Sequence, residues 1–68
     1  MKIKYFTATD TALVEFSGHQ VALTKEINEN IYIDLGADGN LVNITIEHAG
    51  SQANIAEIAY KQIESKSA

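Results

Sequence analysis

Apolar and polar residues alternate strictly along Ile31–Leu35 and again along Leu41–Glu47. Successive side chains of a strand point to opposite faces, so Ile31, Ile33 and Leu35 share one face of a first strand and Val42, Ile44 and Ile46 one face of a second. The intervening Gly36-Ala37-Asp38-Gly39-Asn40 has the composition of a turn, and the whole predicts a β-hairpin. Upstream, Lys2–Phe6 also alternates, with Ile3 and Tyr5 on one face. Thr7-Ala8-Thr9-Asp10 reads as a turn in which Asp10 accepts from backbone amides just ahead of it. Thr11–Phe16 suits a second strand whose facing stays open, because Leu13 and the pair Val14 and Phe16 both ask for burial. After the turn Ser17–Gln20, Val21–Ile27 predicts a third strand, its apolar parity interrupted by Lys25, and Asn28-Glu29-Asn30 leads into the hairpin.

Beyond Glu47 the period changes. Ile55, Ile58, Ala59 and Ile63 recur at steps of three to five, which predicts an amphipathic helix over residues 51–66. Ser51 can cap it, or Asn54 can do so with Glu57 as the reciprocal partner, and Glu57 and Lys61 are spaced i, i+4. The expectation is an α+β fold: an antiparallel β-meander of about five strands (residues 1–50) with one C-terminal helix packed on one face, in a single domain spanning 1–68. With the helix over the Ile33 and Ile44 side, Tyr32 and Leu41 would project from the opposite side beside Asp34 and Glu47. Whether the helix packs on its own chain or on a second one stays open at this stage.

Size changes this picture. A 68-residue domain buries only about 60% of the surface its unfolded chain exposes. Small folds of this kind draw on disulfides, a metal or self-association, and the chain has no Cys. A homodimer is therefore expected, with Tyr32 and Leu41 as its contacts.

Charge narrows the partners. Nine Asp and Glu stand against five Lys and no Arg, for a net charge of −4. Direct nucleic-acid binding relies on Lys and Arg at phosphates, so it is not expected. No apolar run approaches the ~20 residues that cross a bilayer, and Met1–Tyr5 lacks the apolar core of a secretion signal, so no membrane association is expected and the location read is cytoplasmic.

Candidate chemistry is sparse. Counted from Asp34 as position one of a calcium loop, Asp38 at five and Gly39 at six fit, but Gly36 falls at three and Thr45 at twelve, where a bidentate Glu is needed. The loop instead reads as a hairpin turn in which Gly36 and Gly39 supply positive φ and Asp38 and Asn40 satisfy turn amides. His19 and His48 have no spacing that pairs them, and Ser17 and Ser51 have no adjacent base or nucleophile elbow. No metal, no cofactor and no catalytic group is expected.

Met1-Lys2-Ile3-Lys4-Tyr5 leading to Asp10, an apolar strand, Ile31-Tyr32-Ile33-Asp34, Asp38-Gly39-Asn40-Leu41-Val42 and Ile44-x-Ile46 together resemble domain-of-unknown-function family 2283, a small prokaryotic β-rich domain. The resemblance covers residues 1–50. The chain departs from that pattern at Phe6 (Asp in the family), Gly36 (acidic), Asn43 (Gly) and Thr45 (Glu). The resemblance implies a small β-rich fold and no established enzymatic activity, and, because some members are encoded beside small toxin-like proteins, an antitoxin role.

The function expected is a non-catalytic protein-interaction module, antitoxin-like or inhibitory toward a small basic protein. Its acidic recognition surface would be Asp34, Glu47 and Glu15, with Tyr32 and Leu41 for assembly. Two alternatives come from other classes. One is a small metal-dependent or acid/base enzyme assembled at a dimer interface from His48, Asp34 and Glu47. The other is a decoy that imitates nucleic acid, which requires a continuous acidic stripe without Lys2, Lys4 and Lys25 interspersed.

Overall fold

The computed structural model describes residues 1–65. Five strands form one antiparallel sheet: β1 (Lys2–Phe6), β2 (Thr11–Glu15), β3 (Leu23–Asn28), β4 (Ile31–Leu35) and β5 (Leu41–Glu47), followed by a single helical turn, α1 (Ala49–Gln52). The α+β class and the five antiparallel strands agree with the sequence expectation. Their order does not follow a simple meander, because it runs β1-β2-β5-β4-β3. Three consecutive strands, β3, β4 and β5, are joined by short turns, and β2 lies beside β5 after a longer connection, the ordering of a Greek key. A strictly sequential meander would place β3, with Lys25 among its apolar positions, in the middle of the sheet. The observed order puts β3 at an edge and the Val42, Ile44 and Ile46 strand at the centre, where neighbours shield it on both sides.

Residues 16–22 make the connection across the ends of β5 and β4. The Phe16 amide donates to the Val42 carbonyl at 2.8 Å and the Ala22 amide to the Leu35 carbonyl at 2.8 Å, so the segment is tied at both ends. Beneath it lies the 36–40 turn. Gly39 has a φ of 83°, as expected of a turn glycine. Gly36 is buried instead for want of space: a Cβ there would stand 3.1 Å from Asp38 Oδ1 and 3.6 Å from the Gln20 carbonyl. Positive φ is thus required at Gly39 and not at Gly36.

The cross-strand register sorts the side chains into rows. One face carries Lys25, Ile33, Ile44, Val14 and Ile3 in one row and Ile31, Ile46, Ala12 and Tyr5 in the next. This settles the facing of β2: Ala12 and Val14 join the apolar face, and Leu13 the polar one. At the β4–β5 irregularity the register sets Leu41 opposite Leu35, so Leu41 leaves the polar face on which strict alternation would put it.

The expected helix over 51–66 is not formed. Helical structure covers only Ala49–Gln52, and residues 53–65 have no regular secondary structure, while residue 66 lies outside the described residues. The Asn54 side-chain amide does donate to Glu57 Oε2 at 3.1 Å, as a reciprocal cap would, but the Glu57 amide donates to the Asn54 carbonyl at 3.2 Å and closes a turn. An isolated helix of this length is marginal in water unless its apolar stripe is packed, and here the stripe is not: Ile58 is 61% and Ile63 79% exposed. The apolar face of the sheet therefore lacks the expected helical cover. Among the described residues the buried hydrophobic core is Ala12, Val42 and Ala49 alone, and no large side chain is fully buried.

Candidate functional site

The opposite, polar face is ordered by the same register. Lys2, Glu15, Asn43, Asp34 and Thr24 form one row across all five strands, and Lys4, Leu13, Thr45, Tyr32 and Glu26 the next. Asp34 is held on both sides: Thr24 Oγ1 donates to its Oδ1 at 2.6 Å and Asn43 Nδ2 to its Oδ2 at 3.3 Å. Glu15 pairs with Lys4 at 3.1 Å, both side chains being partly exposed. An exposed pair of this kind contributes at most about 1 kcal/mol. The face thus carries Lys2 and Lys4 at the β1 edge with Glu15 beside them, and Asp34 and Glu26 on the β4 and β3 side.

Tyr32 sits in the acidic half. Its hydroxyl donates to the Glu29 carbonyl at 3.4 Å. Partial desolvation raises its pKa, and the nearby charges of Glu47, Glu26 and Glu29 raise it further. The phenol thus stands near three carboxylates, with Asp34 two residues along the same face.

A second constellation, which the sequence reading missed, ties the two ends of the fold together. Asp10 has a left-handed backbone (φ 54°), a conformation that Asp tolerates better than most residues. Its Oδ1 accepts the Tyr5 hydroxyl at 2.5 Å and the Gly50 amide at 2.9 Å, and its carbonyl accepts the Ala49 amide at 2.9 Å. The bond from Tyr5 and then that from Gly50 lower the Asp10 pKa, while the same bond to Asp10 raises that of Tyr5. Gly50 is fitted to this contact, since a Cβ would stand 3.0 Å from Asp10 Oδ1. Asp10 bonds an amide forty residues on, not the amides just ahead of it. The readable signal was the Tyr5 and Asp10 pair, present in the resemblance motif without a reason attached.

The residues singled out from sequence are only partly brought together. Tyr32, Asp34, Glu47 and Glu15 share the polar face, and Leu41 does not. Asp34 and Glu47 do not converge: Asp34 is opposite Asn43, four residues before Glu47 on β5, or about 13 Å along the strand. His48 Nδ1 lies 2.9 Å from Asn30 Oδ1, so this imidazole is engaged at the start of β4. His19 lies in the 16–22 connection and is exposed. Among the described residues no group of three or more His, Asp or Glu is arranged to hold a metal ion. No described helix is long and apolar enough to cross a membrane. An open hollow of about 880 Å³ lies between Ile3 and Tyr5 on one side and Gly50–Ala56 with Ile58 on the other.

Fold and constellations together define a small antiparallel β domain in which Asp10 ties the β1–β2 turn to α1 and a tyrosine stands near carboxylates on the polar face of the sheet. The chain belongs to the family described as Protein of unknown function (DUF2283), which matches residues 2–49. That span takes in all five strands, Tyr5, Asp10 and Tyr32, and stops before residues 53–65. No curated protein and no solved structure matches the chain.

Proposed function

We propose that the chain is a non-catalytic protein-interaction module that acts in the cytoplasm by seating a small basic protein, in an antitoxin-like or inhibitory manner, on the Tyr32 half of its polar face. The observation that supports this reading is the placement of Tyr32, opposite Glu26 in the sheet and with its hydroxyl on the Glu29 carbonyl, on the acidic side of the polar face. Tyrosine is a frequent energetic anchor of protein interfaces, and complementary charge around such an anchor steers the encounter. Asp34, fixed by Thr24 and Asn43, extends the same acidic surface at little further cost in side-chain entropy. Glu15, taken up by Lys4, has a smaller part in it. A nucleic-acid decoy is a poorer fit, because the polar face carries Lys2 and Lys4 along its β1 edge, Lys4 paired with Glu15, and neutral Asn43, Thr45 and Leu13 between the acids. A site built from His48, Asp34 and Glu47 would have to draw its groups from more than one chain.

Calorimetric titration with the basic product of a neighbouring gene tests the reading. Tyr32→Ala is expected to weaken binding by about 30-fold, as loss of a central aromatic anchor does. Glu47→Lys is expected to slow association and flatten its salt dependence. Binding that neither substitution alters would overturn the assignment to this face.

A further inference from the structure

We infer that the apolar face of the sheet is the interface of a homodimer, in which a second copy of this chain packs face to face to complete a two-layer β-sandwich. The face is centred on Ile44, with Ile33 and Val14 beside it in register and Ile31 and Ile46 in the next row. These five side chains are half-buried by their neighbours in the sheet, and among the described residues no second layer of regular structure packs over them.

Area favours a second copy as the occupant. A compact folded chain of 7.4 kDa exposes about 4,200 Å². This one exposes 5464 Å². The surplus of about 1,250 Å² is shared between the extended tail and the sheet, and a standard stable interface buries roughly 800 Å² per partner.

The chain's own tail is too narrow to serve instead. Five strands span about 19 Å, whereas one helix covers a strip about 10 Å wide. Residues 53–65 folded back as a helix would leave roughly half of the face bare. A sheet of the same width, stacked about 10 Å away, covers all of it. A two-fold axis through the centre also makes the surface self-complementary, since each Ile44 then meets its own copy. Lys25 falls at the β3 edge of the face, where its ammonium can stay in water while its stem lies against apolar neighbours.

The full chain is the material for the test. Its mass in solution at micromolar concentration should be twice 7.4 kDa, with a melting temperature that rises with concentration. A folded species of single-chain mass, melting at one temperature whatever its concentration, would falsify the dimer. Because the chain has no cysteine, Ile44→Cys and Thr45→Cys report the two faces of the central strand separately. The Ile44→Cys thiol should react with a labelling reagent about tenfold or more slowly than the Thr45→Cys thiol. Equal rates, or protection on the Thr45 side, would place the copies elsewhere and overturn the interface. Adding Ile58→Asp to the Ile44→Cys chain should leave its protection intact, and loss of protection would assign the cover to the chain's own tail. Should Ile44→Cys fail to fold, Ile46→Cys, in the next row of the same face, takes its place against Thr45→Cys, and the mass and concentration dependence of the parent chain test the dimer itself. The polar face stays free in this dimer, so failure here leaves the Tyr32 reading standing and failure there leaves the dimer.

Discussion

The sheet and the segment that follows it carry equally clean hydrophobic patterns, period two over residues 31–47 and steps of three to five over residues 55–63, yet only the first became regular structure. Each strand finds a partner within the chain, and every pairing brings both backbone hydrogen bonds and side-chain contact. Residues 53–65 close one local turn between Asn54 and Glu57 and pair with no strand. Between them lies α1, four residues long, which persists where Asp10 holds the Ala49 and Gly50 amides and gives way where that hold ends. A periodic stripe is therefore a request for a surface, and in this chain the surface that would answer it is wider than the stripe.

The largest effect is expected at the centre of the sheet. Removing a buried isoleucine side chain costs about 2 to 5 kcal/mol, against a total stability of roughly 3 to 10 kcal/mol for a chain of this size. Ile44→Ala should therefore unfold most of the protein, as followed by urea titration with circular dichroism. The upper half of that range requires Ile44 to be fully covered, since in the single chain it is only half-buried. A cost near 1 kcal/mol would point to a solvent-facing sheet.

Strand identity was largely legible, and pairing was not. Alternation placed β1, β4 and β5 at their observed bounds, because period two is a local property that survives whichever neighbour a strand takes. It ran two residues early on β3, where Val21 shares the apolar parity but belongs to the crossing connection. The order β1-β2-β5-β4-β3 depends on which face can tolerate Lys25 and which strand needs shielding on both sides, and these comparisons hold only between strands already placed. The candidate site divides in the same way. Tyr32, Asp34 and Glu47 share a face by parity alone, whereas the Asp10 tie spans forty residues and one left-handed turn, which no local pattern encodes.

The next effect down is at that tie, and it is sensitive to pH. Asp10 has a folded pKa below its ordinary value near 3.8. Its contribution to stability is therefore present above that value and lost as pH falls through the lower folded one. Tyr5 has the opposite sign. Its folded pKa lies above the ordinary 10.0, so its contribution is present below pH 10 and lost as pH rises through the raised value. Asp10→Asn should lower the melting temperature near neutrality by less than Ile44→Ala does, and flatten the fall in stability on the acid side. Hydrogen exchange should show the Ala49 and Gly50 amides losing protection first, while those of β5 keep theirs.

Smaller still is the turn. Gly39→Ala places a Cβ on a backbone at φ 83° and should cost about 1 kcal/mol. Gly18→Ala, with nothing within 4 Å of its Cβ, should cost nothing measurable in the same denaturation experiment. Equal costs at the two sites would mean that the 36–40 turn relaxes to accept the side chain, and that the register of β4 on β5 does not depend on it.

The smallest effect is expected where the sequence pattern was among the clearest. Ile58→Ala and Ile63→Ala remove side chains that are 61% and 79% exposed, and surface changes of this kind usually stay within about 0.5 kcal/mol. Neither should shift the urea midpoint nor alter the far-ultraviolet spectrum. A midpoint lowered by both, together with a loss of helical signal, would show the tail folding as a helix onto its own sheet in solution. In that event the difference between the two regions would be one of strength and not of kind: the period-two pattern pairs unaided, and the helical one waits for a surface.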